Sequence, residues 1–241
     1  HNSKLCCMKK IVESSIIHYG DDALLVNIQH LVLTCKPNEY ILALSAYLRV
    51  SNNDWIDVVP AEESLAVRYN PFRLSAKEAY NKLEKQIDEF DFQPLTQNNQ
   101  LIHIPVCYHD EFAPDMHTVT EQKALSREEV IKIHSSVTYQ VTMIGFTPGF
   151  SYLGELPEKL FMPRLAVPKL HLLPGSIGIS GYRTGIYPLG GPGGWQIIGC
   201  TPMKLFDSEL NNPFKLSTGM TIKFSAISIE QFQDYQNKVT R

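Results

Sequence analysis

Three basic side chains stand out in the second half of the sequence, Arg164, Lys169 and Arg183, because glycines surround them. Twelve of the chain's 14 glycines fall between Gly145 and Gly199. Arginine favours carboxylate and phosphate groups through its planar fork of donors, whereas lysine offers a point charge. Backbone N–H groups in glycine-rich turns also bind anions. The pattern predicts an anion-binding surface, with a solvated or structural ion pair as the alternative for each basic residue.

A turn with aromatic flanks opens this glycine-rich region, in the sequence GFTPGFSYLG at residues 145–154. The pair Pro148-Gly149 fixes φ at its first residue and permits a positive φ at its second, which is typical of a type II turn. Phe146 and Phe150 lie on either side of the pair. We expect a tight loop that carries aromatic side chains on both sides.

Further candidates for chemistry lie in the segment IPVCYHDEFAPD at residues 104–115. His109 lies in a predicted loop, from which a side chain can reach a ligand. Tyr108 and Asp115 bring a hydroxyl and a carboxylate to the same segment, although Asp115 could equally cap the helix that follows. We retain Tyr108, His109 and Asp115 as catalytic candidates.

Several well-known catalytic motifs are missing from the sequence. It contains no GxxxxGK[ST] phosphate loop, no GxGxxG, no nucleophile elbow and no HExxH. Its five cysteines include the adjacent Cys6 and Cys7 but show no CxxC or Cys/His ligand spacing. An odd number of cysteines without such spacing indicates a reducing compartment and no structural zinc. We expect a cytoplasmic protein without a metal site.

The composition is that of an ordinary globular protein. Of the 241 residues, 44% are hydrophobic and 20% are charged, values unlike those of disordered chains. The 22 Lys and Arg nearly balance the 25 Asp and Glu, which argues against a dedicated nucleic-acid-binding protein. The sequence contains no apolar run long enough to span a membrane and no signal-peptide core. We expect neither nucleic acid nor membrane among its partners.

The first hundred residues predict a compact unit of strands and helices. Alternating apolar residues predict four strands, at Ser15–Tyr19, Ala23–Ile28, Trp55–Val59 and Ser64–Tyr69. Helical spacing predicts one helix over about Asn38–Val50 and a second from Ser75 to about Phe90. Ser75 and Glu78 show the spacing of a capping box. The polar segment Gln93–Gln100 then predicts a domain boundary.

The second half predicts a β barrel. A strand over Leu101–Val106 and a short helix capped by Ser126 precede a strand over Tyr139–Ile144. After that, short strands are separated by Gly and Pro, which indicates a closed or nearly closed barrel. His103 and His134 have apolar neighbours, and we expect both to be hydrogen-bonded core residues.

An ordered set of motifs in the second half resembles a known family. The motifs are GFTPGFSYLG at 145–154, PRLAVPK at 163–169, PGSIGISG at 174–181, TGIYP at 184–188 and PGGWQIIGCTP at 192–202. With IPVCYHDEFAPD at 104–115, they resemble the B subunit of the prokaryotic 5-oxoprolinase. The same family includes the KipI-type histidine-kinase inhibitors and proteins labelled allophanate hydrolase subunit 1. The set is also similar to part of the carboxyltransferase region of urea carboxylase (subdomains C and D).

The resemblance implies an α+β fold, with a small N-terminal α/β domain over residues 11–95 and a cyclophilin-like β-barrel domain over residues 101–235. It implies a subunit, inactive alone, of an enzyme that opens the lactam of 5-oxoproline to glutamate while ATP yields ADP and phosphate. The implied partner is the C subunit of 5-oxoprolinase, whose related barrel encloses the active site together with this chain, and the A subunit is a further candidate. ATP would bind at the shared site, since this chain has no recognised nucleotide motif.

The resemblance and the residue chemistry together select the candidate site. The catalytic candidates are Arg164, Arg183, Tyr108, Asp115 and His109. The substrate-binding candidates are Gly145, Phe146, Pro148, Gly149, Lys169, Gly175, Ser176, Thr184, Gly193, Gly194 and Trp195. Departures from the family pattern are Lys169 and Cys200 in place of Arg, His109 in place of Gly, Ser151 in place of Pro and Arg183 in place of Gln. Lysine lacks the planar fork of arginine, so the departures leave the substrate open.

Other functions are compatible with the same motifs. A KipI-like protein would dock on a sensor histidine kinase and inhibit it without chemistry of its own. A related enzyme subunit would act on another amide, such as allophanate, whereas a prolyl isomerase would follow only from the analogy between barrels. An obligate partner predicts an exposed apolar patch, on the order of several hundred Å², beside the glycine-rich loops.

Overall fold

A computed structural model describes residues 16–28, 35–51, 54–94 and 101–239. The chain divides into two compact units, His1–Thr96 and Gln97–Arg241. Each unit has a hydrophobic core of its own. Cys6, Cys7 and most of the predicted boundary segment Gln93–Gln100 lie outside the described residues.

In its described part, the first unit is an antiparallel sheet with two helices. Its elements are β1 (Ile16–His18), β2 (Ala23–Asn27), α1 (Pro37–Ser51), β3 (Trp55–Pro60), β4 (Ser64–Tyr69) and α2 (Ala76–Glu89). The strands pair in the order β1-β2-β4-β3. Because side chains alternate along a strand, Leu65, Val67 and Tyr69 of β4 all enter the core. The predicted capping box is confirmed, since Ser75 and Glu78 each accept a hydrogen bond from the backbone N–H of the other.

Over residues 101–239, the second unit is a barrel with three α-helices and a short 3-10 helix at Glu158–Leu160. Its elements are β5 (Leu101–Cys107), α3 (Met116–Lys123), α4 (Arg127–Ser136), β6 (Thr138–Ile144), β7 (Ser151–Gly154), β8 (Lys169–Leu172), β9 (Ser176–Ser180), β10 (Arg183–Tyr187), β11 (Gly191–Gly193), β12 (Gln196–Cys200), β13 (Thr221–Ile227) and α5 (Ile229–Val239). The barrel closes in the order β10-β7-β6-β13-β5-β12-β9. Neighbouring strands are antiparallel except for the parallel pair β5 and β13. The predicted α+β class with a barrel domain is confirmed.

Side chains fill the interior of the barrel. Leu153 of β7, Thr184 of β10 and Ile179 of β9 pair directly in register. All three are buried, and Leu153 and Ile179 belong to the core that also contains Phe224 of β13. Because directly paired residues lie on the same face of a sheet, this row marks the inward face. The neighbouring residues along each strand therefore lie on the outer face.

Two strands remain apart from the barrel. β8 and β11 pair antiparallel with each other in a small sheet of their own. Leu172 of β8 is buried against Tyr187 and Trp195, so the small sheet packs on the outer face of the barrel. Among the described residues, no helix has the length and apolar character needed to cross a bilayer.

Candidate active site on the outer face of the barrel

Two glycines make room for Trp195 on the outer face of the barrel. Gly178 of β9 pairs with Gly185 of β10 and with Ile197 of β12. A Cβ atom on Gly178 would lie 2.9 Å from the Trp195 Cβ, and one on Gly185 would lie 2.9 Å from the Trp195 Cζ3. Either contact is closer than packed carbon atoms tolerate. The group that approaches both glycines is therefore the Trp195 side chain of the same chain.

Trp195 belongs to a group that we call the aromatic surface: Phe146, Phe150, Tyr152, Tyr187 and Trp195. The Phe150 ring meets the other four rings edge-on, with centroid distances between 4.6 and 5.6 Å, a geometry that aromatic pairs prefer. Phe150, Tyr187 and Trp195 are buried, whereas Phe146 is 62% exposed. The surface thus has a packed base and one ring that remains accessible.

The loop that carries Phe146 contains a strained turn. Phe146 has a φ of 69°, in the left-handed region that a bulky side chain seldom adopts. The Thr147 N–H donates to the Gly145 carbonyl at 2.9 Å and so closes a three-residue turn around Phe146. Such strain costs about 1–3 kcal/mol and is concentrated at ligand-binding sites.

The predicted turn after Phe146 is confirmed. Gly149 has a φ of 77°, as the third position of a type II turn requires. The Phe150 N–H donates to the Thr147 carbonyl at 3.0 Å and closes the turn. Pro148 is exposed at its tip. Phe146 and Phe150 are therefore held on the two sides of one rigid corner.

Arg164 brings positive charge to the aromatic surface. Burial raises the pKa of Tyr187 to about 12 and also raises the pKa of Tyr152, and the charge of Arg164 opposes both shifts. Arg164 is exposed. No carboxylate is paired with its guanidinium group within the part of the chain that the structure describes. This charge remains available for an anion.

Hydrogen bonds hold the backbone on both sides of Arg164, one to Gly194 and one to Gln196 of β12. The Leu165 N–H donates to the Gly194 carbonyl at 2.8 Å, and the Gln196 side-chain amide donates to the Pro163 carbonyl at 3.5 Å. The Gln196 Oε1 is buried and has no hydrogen-bond partner among the described residues. An unpaired buried acceptor is costly. Sequence reasoning did not select Gln196, although its place beside Trp195 in a buried strand was a usable signal.

Asp115 and Lys169 form a partly buried ion pair that links three elements. Asp115 occupies the N-cap position of α3, but its side chain caps nothing there, so the capping alternative is wrong. Instead its Oδ2 accepts from the Ile197 N–H at 2.7 Å and from the Lys169 ammonium. The Asp115 N–H donates back to the Ile197 carbonyl at 3.0 Å. The pair thereby fastens α3 and β8 to β12, and a catalytic role for Asp115 or a ligand contact by Lys169 stays a prediction.

Tyr108 and Thr184 belong to a hydrogen-bonded chain inside the barrel. The Thr184 hydroxyl donates to the Gly178 carbonyl at 3.0 Å, so it accepts from the His134 Nε2 at 3.0 Å. The His134 Nδ1 then accepts from the Tyr108 hydroxyl at 2.8 Å. This donor order requires a neutral imidazole, and burial lowers the pKa of His134 to about 3. His134 is confirmed as a core residue, and the structure gives Tyr108 and Thr184 structural partners.

His109 lies at a different place, in a pocket of about 380 Å³. The pocket is lined by Cys107, Tyr108, His109, Arg127, Ile131, Ala226, Ile227, Ser228, Ile229 and Glu230, none of which belongs to the aromatic surface.

His103, predicted as a core residue, is exposed on β5. That prediction is wrong because apolar neighbours along the chain do not decide which face of a strand is buried.

The remaining predicted residues divide between packing and exposure. Gly175 and Gly193 are packed against the chain itself, since a Cβ atom would lie 2.2 Å from the Thr201 carbonyl oxygen or 2.5 Å from the Leu172 Cδ1. Ser176 is buried and donates to the Leu173 carbonyl at 2.7 Å. By contrast, nothing lies within 4 Å of a Cβ atom built on Gly145. Gly194 has only Pro168, at 3.8 Å or more, and Arg183 is exposed at the start of β10.

The arrangement brings together groups that suit a small, flat anion. In the described part of the chain it offers an accessible ring, an arginine without a carboxylate partner and open backbone at Gly145 and Gly194. Within the described residues, no three His, Cys, Asp or Glu side chains gather closely enough to hold a metal ion.

Comparison with known proteins identifies the family. Residues 14–216 match the family described as carboxyltransferase domain, subdomain C and D. The chain is 33% identical over 242 residues to the B subunit of 5-oxoprolinase from Bacillus subtilis strain 168, with 94% of this chain and 98% of that protein covered. The chain belongs to the family of 5-oxoprolinase B subunits. The resemblance inferred from the ordered motifs is thereby confirmed.

Two solved structures of longer proteins contain a part that resembles this chain. The chain is 30% identical to the protein TTHA0988, with a TM-score of 0.74, and the match covers 86% of this chain and 40% of that one. The chain therefore spans about two fifths of TTHA0988. The Kluyveromyces lactis urea carboxylase matches 91% of this chain and 22% of its own length, with a TM-score of 0.73 and 17% identity. At that identity the second likeness shows the fold alone.

Proposed function

We propose that this chain is the B-type subunit of a 5-oxoprolinase, inactive alone, and that its aromatic surface binds the lactam substrate. In the proposed reaction, water adds to the lactam carbonyl carbon, the C–N bond breaks, and the ring nitrogen becomes the amino group of glutamate. A second water hydrolyses ATP to ADP and phosphate. The observation that carries the assignment is Arg164, which is exposed beside two tyrosines and has no carboxylate partner among the described residues.

The chemistry of 5-oxoproline suits this surface. The molecule is a small, nearly flat ring that carries one carboxylate. The planar donor fork of Arg164 is suited to hold that carboxylate with two parallel hydrogen bonds, and the exposed face of Phe146 offers a ring to pack against. Open backbone at Gly194, beside the segment that holds Arg164, leaves room for the ligand.

The described residues do not by themselves fit ATP. The sequence has no phosphate loop, Lys169 is already paired with Asp115, and the described carboxylates form no cluster for a magnesium ion. A triphosphate needs several cations or a metal ion to balance its charge. We therefore assign no phosphate-transfer step to this chain, and propose that a partner of the C-subunit type supplies most of an ATP site that the two chains share.

The test is an assay of the assembled enzyme. This chain is co-expressed with its C-type partner, with the A-type subunit added if the pair is silent, and ATP-dependent release of glutamate and phosphate from 5-oxoproline is measured. Arg164→Gln should raise the KM for 5-oxoproline about 10- to 150-fold, because a charge-assisted hydrogen bond contributes about 1.5–3 kcal/mol. Arg164→Lys should recover part of the loss. The matched control is Arg73→Gln, an exposed arginine of the first unit, which should leave KM unchanged.

Each outcome separates the candidate functions. Turnover that appears only when the chains are combined supports the shared-site enzyme. A stable complex without turnover of 5-oxoproline points to another amide, such as allophanate, which is assayed in the same way. A chain that binds no companion subunit but inhibits autophosphorylation of a purified sensor histidine kinase would replace the enzyme subunit with the KipI-like regulator.

A further inference from the structure

Five exposed apolar side chains gather around the small β8–β11 sheet. We call them the apolar rim: Phe146, Val167, Leu170, Leu173 and Leu189, with exposed fractions of 62%, 79%, 74%, 53% and 49%. Isolated apolar side chains are common on protein surfaces, but grouped ones mark a place where another molecule binds. An exposed apolar patch beside the glycine-rich loops is what the sequence predicts for a chain with an obligate partner.

Contacts along the chain show that the rim is continuous. Phe146 meets Tyr187 with centroids 6.3 Å apart, and Pro188 and Leu189 follow directly. A Cβ atom on Gly190, the next residue, would lie 3.0 Å from the Leu173 carbonyl carbon. Three of the rim residues come from the single segment 167–173 that contains β8. The rim thus runs from the Phe146 loop, across the turn after β10, to β8.

The small sheet also has a strand edge that no other described strand covers. β8 pairs with β11 alone among the described strands, so its other edge has no strand beside it. The middle residue of β11 is Pro192, whose missing N–H suits it to an edge that faces solvent. Leu170 is exposed on β8 and carries no charge to prevent pairing. An edge without a neighbouring strand is a place where the backbone of another chain can pair.

Relatives of the chain are joined to further chain or named as subunits. TTHA0988 matches this chain over only 40% of its own length, so in that protein further chain is joined to the same kind of unit. The Bacillus subtilis relative is named as a subunit. We propose that the apolar rim is the docking surface for a companion subunit, similar to the part of TTHA0988 outside the match, which presents an apolar face to Leu170 and Leu173. The inference rests on the partner in the proposed function, and it places that partner next to Arg164 and the aromatic surface.

The experiment measures binding rather than activity. The companion subunit is immobilised, and its dissociation constant is determined for the wild-type chain and for Leu170→Asp, Leu173→Asp and the double variant. Each single change should weaken binding about tenfold or more, as for residues at the centre of an interface. The control is Phe72→Asp, because Phe72 is 98% exposed but lies in the first unit, and its binding should change less than about twofold. Thermal unfolding of each variant shows whether the fold is intact.

Several results would overturn the docking surface. The double variant could bind the companion subunit as tightly as the wild-type chain, or the wild-type chain could fail to bind it. The wild-type chain could instead form a homodimer that the same variants dissociate, which would make a second copy of this chain the molecule that covers the rim. The proposed reaction fails separately. If the companion binds through the rim but the complex does not turn over 5-oxoproline, the docking surface stands and the substrate assignment falls.

Discussion

Replacement of His134 tests the hydrogen-bonded chain inside the barrel. The wild-type imidazole accepts from Tyr108 and donates to Thr184 in its neutral form, and it stacks on Phe224 with ring centroids 4.6 Å apart. Protonation would put a donor on Nδ1, where the Tyr108 hydroxyl now donates, and would bury a charge. We expect His134→Gln to keep one acceptor and one donor in place while it removes the titration.

The magnitude follows from the two pKa values. Burial lowers the pKa of His134 from 6.5 to about 3. Between these values the unfolded chain binds a proton that the folded chain does not, so the free energy of unfolding falls as the pH drops. The stability that comes from keeping His134 neutral is fully present above about pH 6.5. The free energy of unfolding is lower by about 2 kcal/mol at pH 5 and by about 3 kcal/mol at pH 4 on this account. Other groups add their own dependence, so the decisive quantity is the difference between wild type and variant.

The assay is urea unfolding at pH 7, 6 and 5, followed by tryptophan fluorescence. The chain has two tryptophans, and a Trp55→Phe background leaves Trp195 as a probe of the second unit alone. At pH 7 His134→Gln should lose about 1–3 kcal/mol through poorer hydrogen bonds, and the gap should close by about 2 kcal/mol at pH 5. His103→Gln, at an exposed histidine, should keep the wild-type pH dependence. A gap between wild type and His134→Gln that is constant from pH 7 to pH 5 would refute the neutral, buried imidazole.

Three further predictions concern the site and its support. Gly175→Ala should lower the free energy of unfolding by about 2 kcal/mol more than Gly181→Ala. Both residues have a positive φ, but only the new Cβ atom at position 175 would clash, since it would lie 2.2 Å from the Thr201 carbonyl oxygen; equal losses in urea unfolding would contradict the clash. Asp115→Ala should lower the free energy of unfolding by about 1–3 kcal/mol, because it leaves the buried Ile197 N–H without an acceptor. Asp115→Asn should cost less, since its amide oxygen can still accept that hydrogen bond although Lys169 loses its carboxylate; thermal or urea unfolding checks the order. Phe146→Asn should be about 1 kcal/mol more stable than Phe146→Ala, since both lose the contacts of the ring with Phe150 and Tyr187 but asparagine tolerates a φ of 69°. Both variants should weaken 5-oxoproline binding by the assembled enzyme; equal stability of the two in urea unfolding would show that the turn is not strained.

Local interactions were readable from the sequence because their partners are three or four residues apart. The capping box at Ser75 and the helix cap at Ser126 formed as predicted, and the positive φ at Gly149 followed from the Pro-Gly pair before any fold was known. The spacing of apolar residues likewise predicted the strands of the first unit. The ordered glycine-rich motifs carried the family assignment, because glycine is required wherever another group approaches the backbone closely.

Only the tertiary structure decided which groups meet. Asp115 found its partners 54 and 82 residues away in the sequence, and its local alternative as a helix cap was wrong. His103 and His134 look alike in the sequence, yet closure of the barrel buries one and leaves the other exposed. In the sequence, Gly178 and Gly185 show only that a side chain is absent, and the fold packs the Trp195 side chain against both of them. Residue types and short spacings thus determined the elements, the turns and the family, whereas the long-range pairing of strands determined which side chains form the core and which remain free to bind.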